Sequence, residues 1–400
     1  MSVAFIGGSV FGPDGTVREA DVLLDGSHIS AVGQDLDAPK GARRISAAGR
    51  TILPGLIDAH THLTHGYAEV VGDTEAAQGV RAARQALRAL RTGITTVREL
   101  GSYRRVDIAL RDAILAGLAV GPRMLCAGAY ITITGGHGHP KGRAADGPDE
   151  VRKAAREQLL AGADQLKLMC SGGAARRAES ADAVQFTFEE ISAAVEEATF
   201  AGRPVAAHAH PTRSIKWALA SGVHSIEHGT YLDEECIELM HAKSVFLVPT
   251  LAVYRHIATS GHWPDLTERA AQLYEAKLGT LRSALAAGVP IALGTDTSMY
   301  LPIEDYASEA ELLVAEAGLS TREVLLLATR TNAEFLGLAN VGRVAEGAIA
   351  DLILVDGDPV ADLGALRRVA VTVRDGVVFD WGAIAETLGA ATPGPSHATA

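Results

Sequence analysis

The sequence predicts an α/β protein: a (β/α)8 barrel of the TIM type with a small β-sandwich domain formed by the N- and C-terminal segments. Three observations predict it. Eight short apolar runs alternate with helical patterns through the middle of the chain, strand-like segments crowd both ends, and metal-compatible side chains recur where the apolar runs stop. The 400 residues are 48% hydrophobic and 21% charged, enough to bury a barrel-sized core.

The N-terminal segment reads as strands at 3–6, 20–24 and 29–32, with the turn Gly12-Pro13-Asp14-Gly15 between the first two. Turn residues at this spacing mark a small antiparallel unit. The pattern returns at 350–355 and at 369–373, before Asp375-Gly376. The reading is therefore a split β-sandwich over 1–54 and 343–380, a barrel over 55–342, and a C-terminal tail over 381–400. The end of that tail is Ala, Thr, Pro, Gly and Ser, a composition that frays.

In the middle, apolar runs fall at 56–60, 94–98, 123–127, 165–169, 204–208, 224–228, 245–249 and 290–295. Helical patterns between them include 74–91, 149–161 and 188–201, and Thr187 with Glu190 is spaced as a capping box for the last. Glycine ends a helix and an apolar residue opens the next run at Thr92-Gly93-Ile94, Ser221-Gly222-Val223 and Ala287-Gly288-Val289. Eight such units are what a closed barrel requires.

A formal net charge of −12 argues against nucleic acid or an anionic membrane surface as partner. No run approaches the ~18 uncharged apolar residues of a membrane span. The first residues lack a basic segment, so no signal peptide is expected. Cys126, Cys170 and Cys236 form neither a disulfide framework nor a zinc-knuckle pattern. The expected compartment is a reducing cytoplasm.

Barrel chemistry sits at the C-terminal ends of the strands. Those ends carry His60 and His62 on the first run, Lys167 on the fourth, His208 on the fifth, His228 on the sixth and Asp296 just after the eighth. The two-residue period of a strand puts His60 and His62 on one side, within reach of one ion. Structural histidines would show no preference for strand ends, so the set points to a metal site. Lys167 stands between Leu166 and Leu168, where an unpaired ammonium is costly. On spacing alone it can be half of a buried salt bridge. His210 shares a side with His208 but lies past the strand end, and is read as a supporting or surface residue. The glycine-rich loop 133–139 opens onto the same rim, where His137 could polarise or orient a carbonyl. Arg98, ending the second run, could hold a substrate carboxylate or form an ion pair with Glu99 or another rim carboxylate.

The segments Leu53-Pro54-Gly55-Leu56-Ile57-Asp58-Ala59-His60-Thr61-His62, Leu166-Lys167-Leu168-Met169-Cys170-Ser171-Gly172-Gly173, Ala207-His208-Ala209-His210, Ser225-Ile226-Glu227-His228-Gly229 and Gly294-Thr295-Asp296 together resemble the binuclear-metal branch of the amidohydrolase superfamily. With the strand-rich ends, the resemblance covers residues 1 to about 380. Thr134-Gly135-Gly136-His137-Gly138 and Glu227-His228-Gly229-Thr230-Tyr231-Leu232-Asp233 make it most similar to the imidazolonepropionase-like group. That group includes Xaa-Pro and Xaa-Arg dipeptidases, N-acyl amino acid hydrolases and ochratoxin amidase.

The resemblance implies two divalent metal ions, with Zn2+ favoured by imidazole and oxygen ligands. It implies that His60, His62 and Asp296 hold the more buried ion, that His208 and His228 hold the other, and that Lys167, carbamylated by CO2, bridges them. A hydroxide shared by the ions would attack the substrate, with Asp296 passing its proton to the leaving amine. Tyr231 would hold a substrate carboxylate. The implied activity is hydrolysis of an amide bond in an N-acyl amino acid or dipeptide. A cyclic amidase, or a carbamate, ester or organophosphate hydrolase, stands as the alternative on the same scaffold. A mononuclear deaminase would not need Lys167, and a non-enzymatic scaffold would be expected to have lost ligands. After Gly173 the chain departs from its relatives' apolar, Pro-containing loop. Arg176 and Arg177 stand there, suited to an anionic substrate or simply to water. A small-molecule substrate and a homo-oligomer are expected, with no nucleic acid and no membrane.

Overall fold

The computed structural model describes residues 2–65, 74–173 and 179–383. Strand Ser2–Phe11 turns back through Gly12, whose N–H meets Thr16 O at 2.8 Å, into Val17–Asp25 and then His28–Gly33. Its other edge pairs in parallel first with Arg43–Ser46 and then with Arg50–Pro54. Arg50–Pro54 pairs antiparallel with Leu352–Asp356, which leads to Val369–Arg374 and Val377–Asp380. Both ends of the chain therefore meet, as their strand patterns require. Their inward residues, among them Phe5, Val22, Leu24, Ile52, Leu354 and Val371, share one apolar core.

The strands of this unit are joined in one hydrogen-bonded sheet of eight, in which one long strand serves two neighbours along one edge, and its ladder with Val17–Asp25 shifts register between Phe5 and Gly8.

The barrel-like α/β part begins with strands Leu56–Thr61 and Ile94–Glu99, buried at every residue, as parallel strands under helices must be. With Arg123–Cys126 they form a three-stranded sheet. Leu166–Met169, Val205–Ala209, Ser225–His228 and Phe246–Val248 follow in order in a second parallel sheet. The expected eighth strand is not regular. Residues 290–297 join the two arcs by single bridges, Leu247 to Ile291 and Thr61 to Thr297.

The expected ladder also fails to close between the third and fourth strands. Ile131–Thr132 takes the edge beside Leu168, while Cys126 exchanges bonds with Asp164 through its N–H (2.9 Å, to the carboxylate) and its carbonyl (2.8 Å).

Helix starts follow the sequence. Thr74 caps Glu75–Arg91, and Thr187 with Glu190 forms the capping box of Phe188–Phe200. Gly222 closes helix Thr212–Ser221 at φ 96°, a left-handed geometry that suits glycine. Among the described residues no helix is long and apolar enough to cross a membrane. All three cysteines are buried and unpaired.

Arg123 at the start of the third strand ties the barrel to the terminal sheet through Asp351 and Asp375. Asp351 is buried, so losing the guanidinium strands a carboxylate away from water. Arg123→Ala is expected to remove about 3 kcal/mol of unfolding free energy, read by urea denaturation. A loss below about 1 kcal/mol would place this link with ordinary surface ion pairs.

Candidate metal centre

His60 ends its strand buried, and its Nδ1 lies 2.7 Å from Glu227 Oε2. The other Glu227 oxygen receives Arg98 Nη2 at 2.7 Å and the Ser225 hydroxyl at 2.5 Å. Burial pushes the Glu227 carboxyl up, but Arg98, His60 and Lys167 outweigh it and hold the group well below the ordinary range. Because the carboxylate only accepts, Nδ1 carries the ring proton and Nε2 is left as the donor atom for a metal. His62 is fixed in the same sense, with Nδ1–H donating to Gly101 O at 3.1 Å.

Nε2 of His60 and Nε2 of His62 each lie 3.6 Å from Asp296 Oδ1. Asp296 adopts a left-handed φ of 57°. Asp58 holds that turn by accepting Thr295 N–H at 3.0 Å and the Thr295 hydroxyl at 2.6 Å, and burial raises its pKa to about 7. Gly294 is needed for the close approach, since a Cβ there would stand 2.7 Å from that of His60.

A second group gathers His208, His210 and His228, whose ligand-type atoms lie within 4.8 Å of one another. His208 Nε2–H donates to Gly172 O at 3.1 Å, leaving Nδ1 as its donor atom. His228 Nδ1 meets Thr250 Oγ1 at 2.7 Å. The rings of His60 and His228 are 5.3 Å apart, so the two groups adjoin. Burial lowers all three histidines of the second group well below their ordinary pKa, which keeps them neutral and able to bind a cation.

Lys167 stands at this junction. Among the described residues its buried Nζ has no hydrogen-bond partner, so the salt bridge expected of a buried lysine is not found there. Burial, opposed by Glu227 and Asp296, lowers its pKa to about 8.

Two readings that the sequence left open are decided. Arg98 takes the ion-pair alternative, with the Glu227 carboxylate in place of Glu99. It is buried, with its Nε on Ala59 O at 2.5 Å and Nη1 on the Ser225 hydroxyl at 3.0 Å, because its strand continues to Glu99 and leaves the guanidinium below the rim. His210 is not a surface residue. Its ring is buried and stacked on His228 at 5.1 Å, with Nδ1 on Thr230 Oγ1 and Nε2 on the Tyr254 hydroxyl. The chain turns inward there, with His210 N–H on Ser171 Oγ at 3.1 Å.

His137 adjoins the second group, its ring stacked on His208 at 4.6 Å. Tyr231 is half-buried at the same rim, where burial raises its pKa. Arg176 and Arg177 lie outside the described residues.

Several supporting groups were missed. Glu227 stands, like Lys167, as a charge inside a strand that is buried at every residue. Lys277 lies on the buried stripe of helix Pro264–Ala286 with Leu273, Tyr274 and Leu281. Its Nζ rests 3.6 Å over the Tyr254 ring and 3.3 Å from Thr250 Oγ1.

The α/β fold and two converging His/Asp groups define the class of a metal-dependent hydrolase. Residues 51–379 match the amidohydrolase family, and the chain belongs to it. It is 31% identical to an ochratoxinase of Aspergillus niger, over 92% of this chain and 84% of that protein. It is 28% identical to an imidazolonepropionase of Salinispora tropica, over 86% of this chain and 88% of that protein. The crystal structure of a Xaa-Pro dipeptidase with bound methionine superposes with a TM-score of 0.88 at 31% identity, covering 95% of this chain and 100% of that one. The protein is thus a hydrolase of carbon–nitrogen bonds.

Glu99 holds the turn that carries His62, accepting Leu63 N–H at 2.7 Å and the Thr61 hydroxyl at 3.1 Å. Burial, then Asp107, pushes its pKa up to about 8. A carboxyl raised in the fold stabilises fully below its unfolded pKa of about 4.3, and that contribution is lost as pH rises to its folded value. Glu99→Gln cannot ionise, so its stability relative to wild type should climb from pH 4.3 to 8 by at most about 1.4 kcal/mol per pH unit. A pH-independent difference in urea unfolding would show that Glu99 does not titrate in this interval.

Proposed function

We propose that the protein hydrolyses the amide bond of N-acyl amino acids or dipeptides with two divalent metal ions, Zn2+ foremost. His60, His62 and Asp296 would hold one ion, His208 and His228 the other, and Lys167 both, as a carbamate. The observation that carries this reading is the buried, unpartnered amine of Lys167 between two converging ligand groups. Loss of one proton from the ammonium, then addition of CO2 to the free amine with loss of a second proton, turns an unpaired cation into an anion with two ligand oxygens. When bound, such a metal pair polarises the scissile carbonyl and acidifies a water shared between the ions.

The chain's own residues supply the rest. His137 at the rim orients the carbonyl, Tyr231 receives the substrate carboxylate, and Asp296 takes up a proton and delivers it to the leaving nitrogen. Arg98 has no part in recognition; it holds Glu227, and through it His60. The named relatives are an ochratoxinase, an imidazolonepropionase and a Xaa-Pro dipeptidase, which supports amide hydrolysis as the reaction class.

Metal analysis after reconstitution with zinc and bicarbonate should find two ions per chain in wild type and fewer in Lys167→Ala. Two ions and full turnover in that variant would make the lysine dispensable and the reading wrong. A dipeptide and N-acyl amino acid library supplies the substrate. On its best member, Asp296→Asn should lose ~10²–10⁴-fold in kcat, the span general-base catalysis supplies. If Asp296→Asn kept its metal and most of its turnover, the proton would have to travel by another residue. Tyr231→Phe should mainly raise KM, since a carboxylate contact serves ground and transition states alike.

A further inference from the structure

Glu179 accepts from His137 Nδ1 at 2.7 Å, across 42 positions of sequence, and neither motif nor spacing marks it. The rest of His137 is held as closely. Its N–H donates to Gln185 Oε1 at 2.9 Å, and its carbonyl accepts the Thr132 hydroxyl at 2.9 Å. One ring face lies on His208, with centroids 4.6 Å apart and planes 23° from parallel. Gly173 lies beneath the ring, where any Cβ would collide with it. Glu179 is itself fixed, since Arg269 donates to its backbone carbonyl. Both members of the pair are mostly shielded, with side chains 18% and 11% exposed.

We infer that Glu179 is a positioning residue for the proposed hydrolysis: its carboxylate fixes the tautomer and placement of the His137 ring. This rests on the amide-hydrolase reading above. A carboxylate only accepts, so Nδ1 must carry a proton, and Nε2 is the nitrogen left for the substrate. Positive charge that builds on the ring while Nε2 serves the carbonyl oxygen lies against the carboxylate. A carboxamide keeps the length and hydrogen-bonding capacity of the side chain. It offers an NH2 as readily as an oxygen, so it no longer dictates which ring nitrogen holds the proton.

The test uses zinc-reconstituted protein with 15N-labelled histidine. In wild type His137 should resonate as the Nδ1–H tautomer, and Glu179→Gln and Glu179→Ala should each lose that signature. On the best library substrate, Glu179→Gln should lose about 10- to 100-fold in kcat, the usual cost of removing such an outer partner, with KM within about twofold. Metal content and thermal midpoint should be unchanged.

Combined with His137→Asn, it should add nothing further, because both changes remove one unit. If Glu179 merely tethers its own segment, Glu179→Gln keeps both the tautomer and kcat, and the inference is overturned. Additive losses in the double variant would overturn it too, placing the action of Glu179 elsewhere. A wild type with the Nδ1–H tautomer that turns over no library member would sink the hydrolase reading and, with it, the catalytic part of this inference. The tautomer measurement would then still decide the Glu179 contact alone.

Discussion

The hydrogen-bonded chain Arg98–Glu227–His60 is the interaction on which the site depends. All three side chains are buried, and a carboxylate so placed would be protonated without a cation beside it. Arg98 keeps Glu227 ionised, and ionised Glu227 can only accept, which fixes the His60 proton on Nδ1. The orientation of Nε2 toward Asp296 follows from that choice. Removing one member costs more than the net worth of its contacts, because it strands a charge. Arg98 therefore governs the chemistry of the site without touching substrate.

The two halves of the centre are supported by different means. Behind His60 and His62 stand a carboxylate and a backbone carbonyl, both pure acceptors. In the other half His208 also rests on a backbone carbonyl, that of Gly172, but behind His210 and His228 stand the hydroxyls of Thr230, Tyr254 and Thr250, with the Lys277 amine in contact with Thr250 and the Tyr254 ring. A carboxylate partner raises the basicity of a ligand imidazole more than a hydroxyl does. The half built around His60 is thus the more electron-rich, and the half next to His137 the more open to rearrangement of its protons.

Much of this was legible in one dimension. Strand periodicity, strand-end histidines and the Thr187–Glu190 box are local signals, and each appears where its spacing puts it. Lys167 was legible because a charge in an apolar strand demands a reason. Lys277 offered a helical form of that argument, a charge on the apolar stripe of its helix, whereas Glu227 sits between Ile226 and His228 in a strand too polar to single it out. Arg98 was misplaced by a single residue of strand length, since period and end together decide whether a side chain faces the rim or the floor. His210 depended on the Ser171 hydroxyl drawing the chain inward. Glu179 meets His137 only through the folding of two loops, and no pattern along the chain encodes such a meeting. The interrupted ladder beside Cys126 was hidden for the same reason: it follows from Asp164 capturing that strand's end.

Backbone geometry joins the two halves of the argument. His228, Thr250 and Asp296 all adopt left-handed φ angles, 73°, 49° and 57°, where the sixth, seventh and eighth segments leave the barrel. Such angles cost non-glycine residues of order 1–3 kcal/mol each and persist only when the surroundings impose them. The surroundings here are identifiable. Asp58 grips Thr295 beside Asp296, Glu309 accepts the N–H groups of Leu251 and Ala252 after Thr250, and Gly229 N–H returns to Ala209 O after His228. Strain of this kind turns a side chain back across the barrel mouth when an ordinary strand end would send it outward. Three adjacent segments turned inward make one rim converge on one small volume. The same buried acids that fix these turns are themselves raised by burial, Asp58 and Glu309 each to about 7. The geometry that suits the centre is therefore maintained by groups that would, elsewhere in the protein, be avoided.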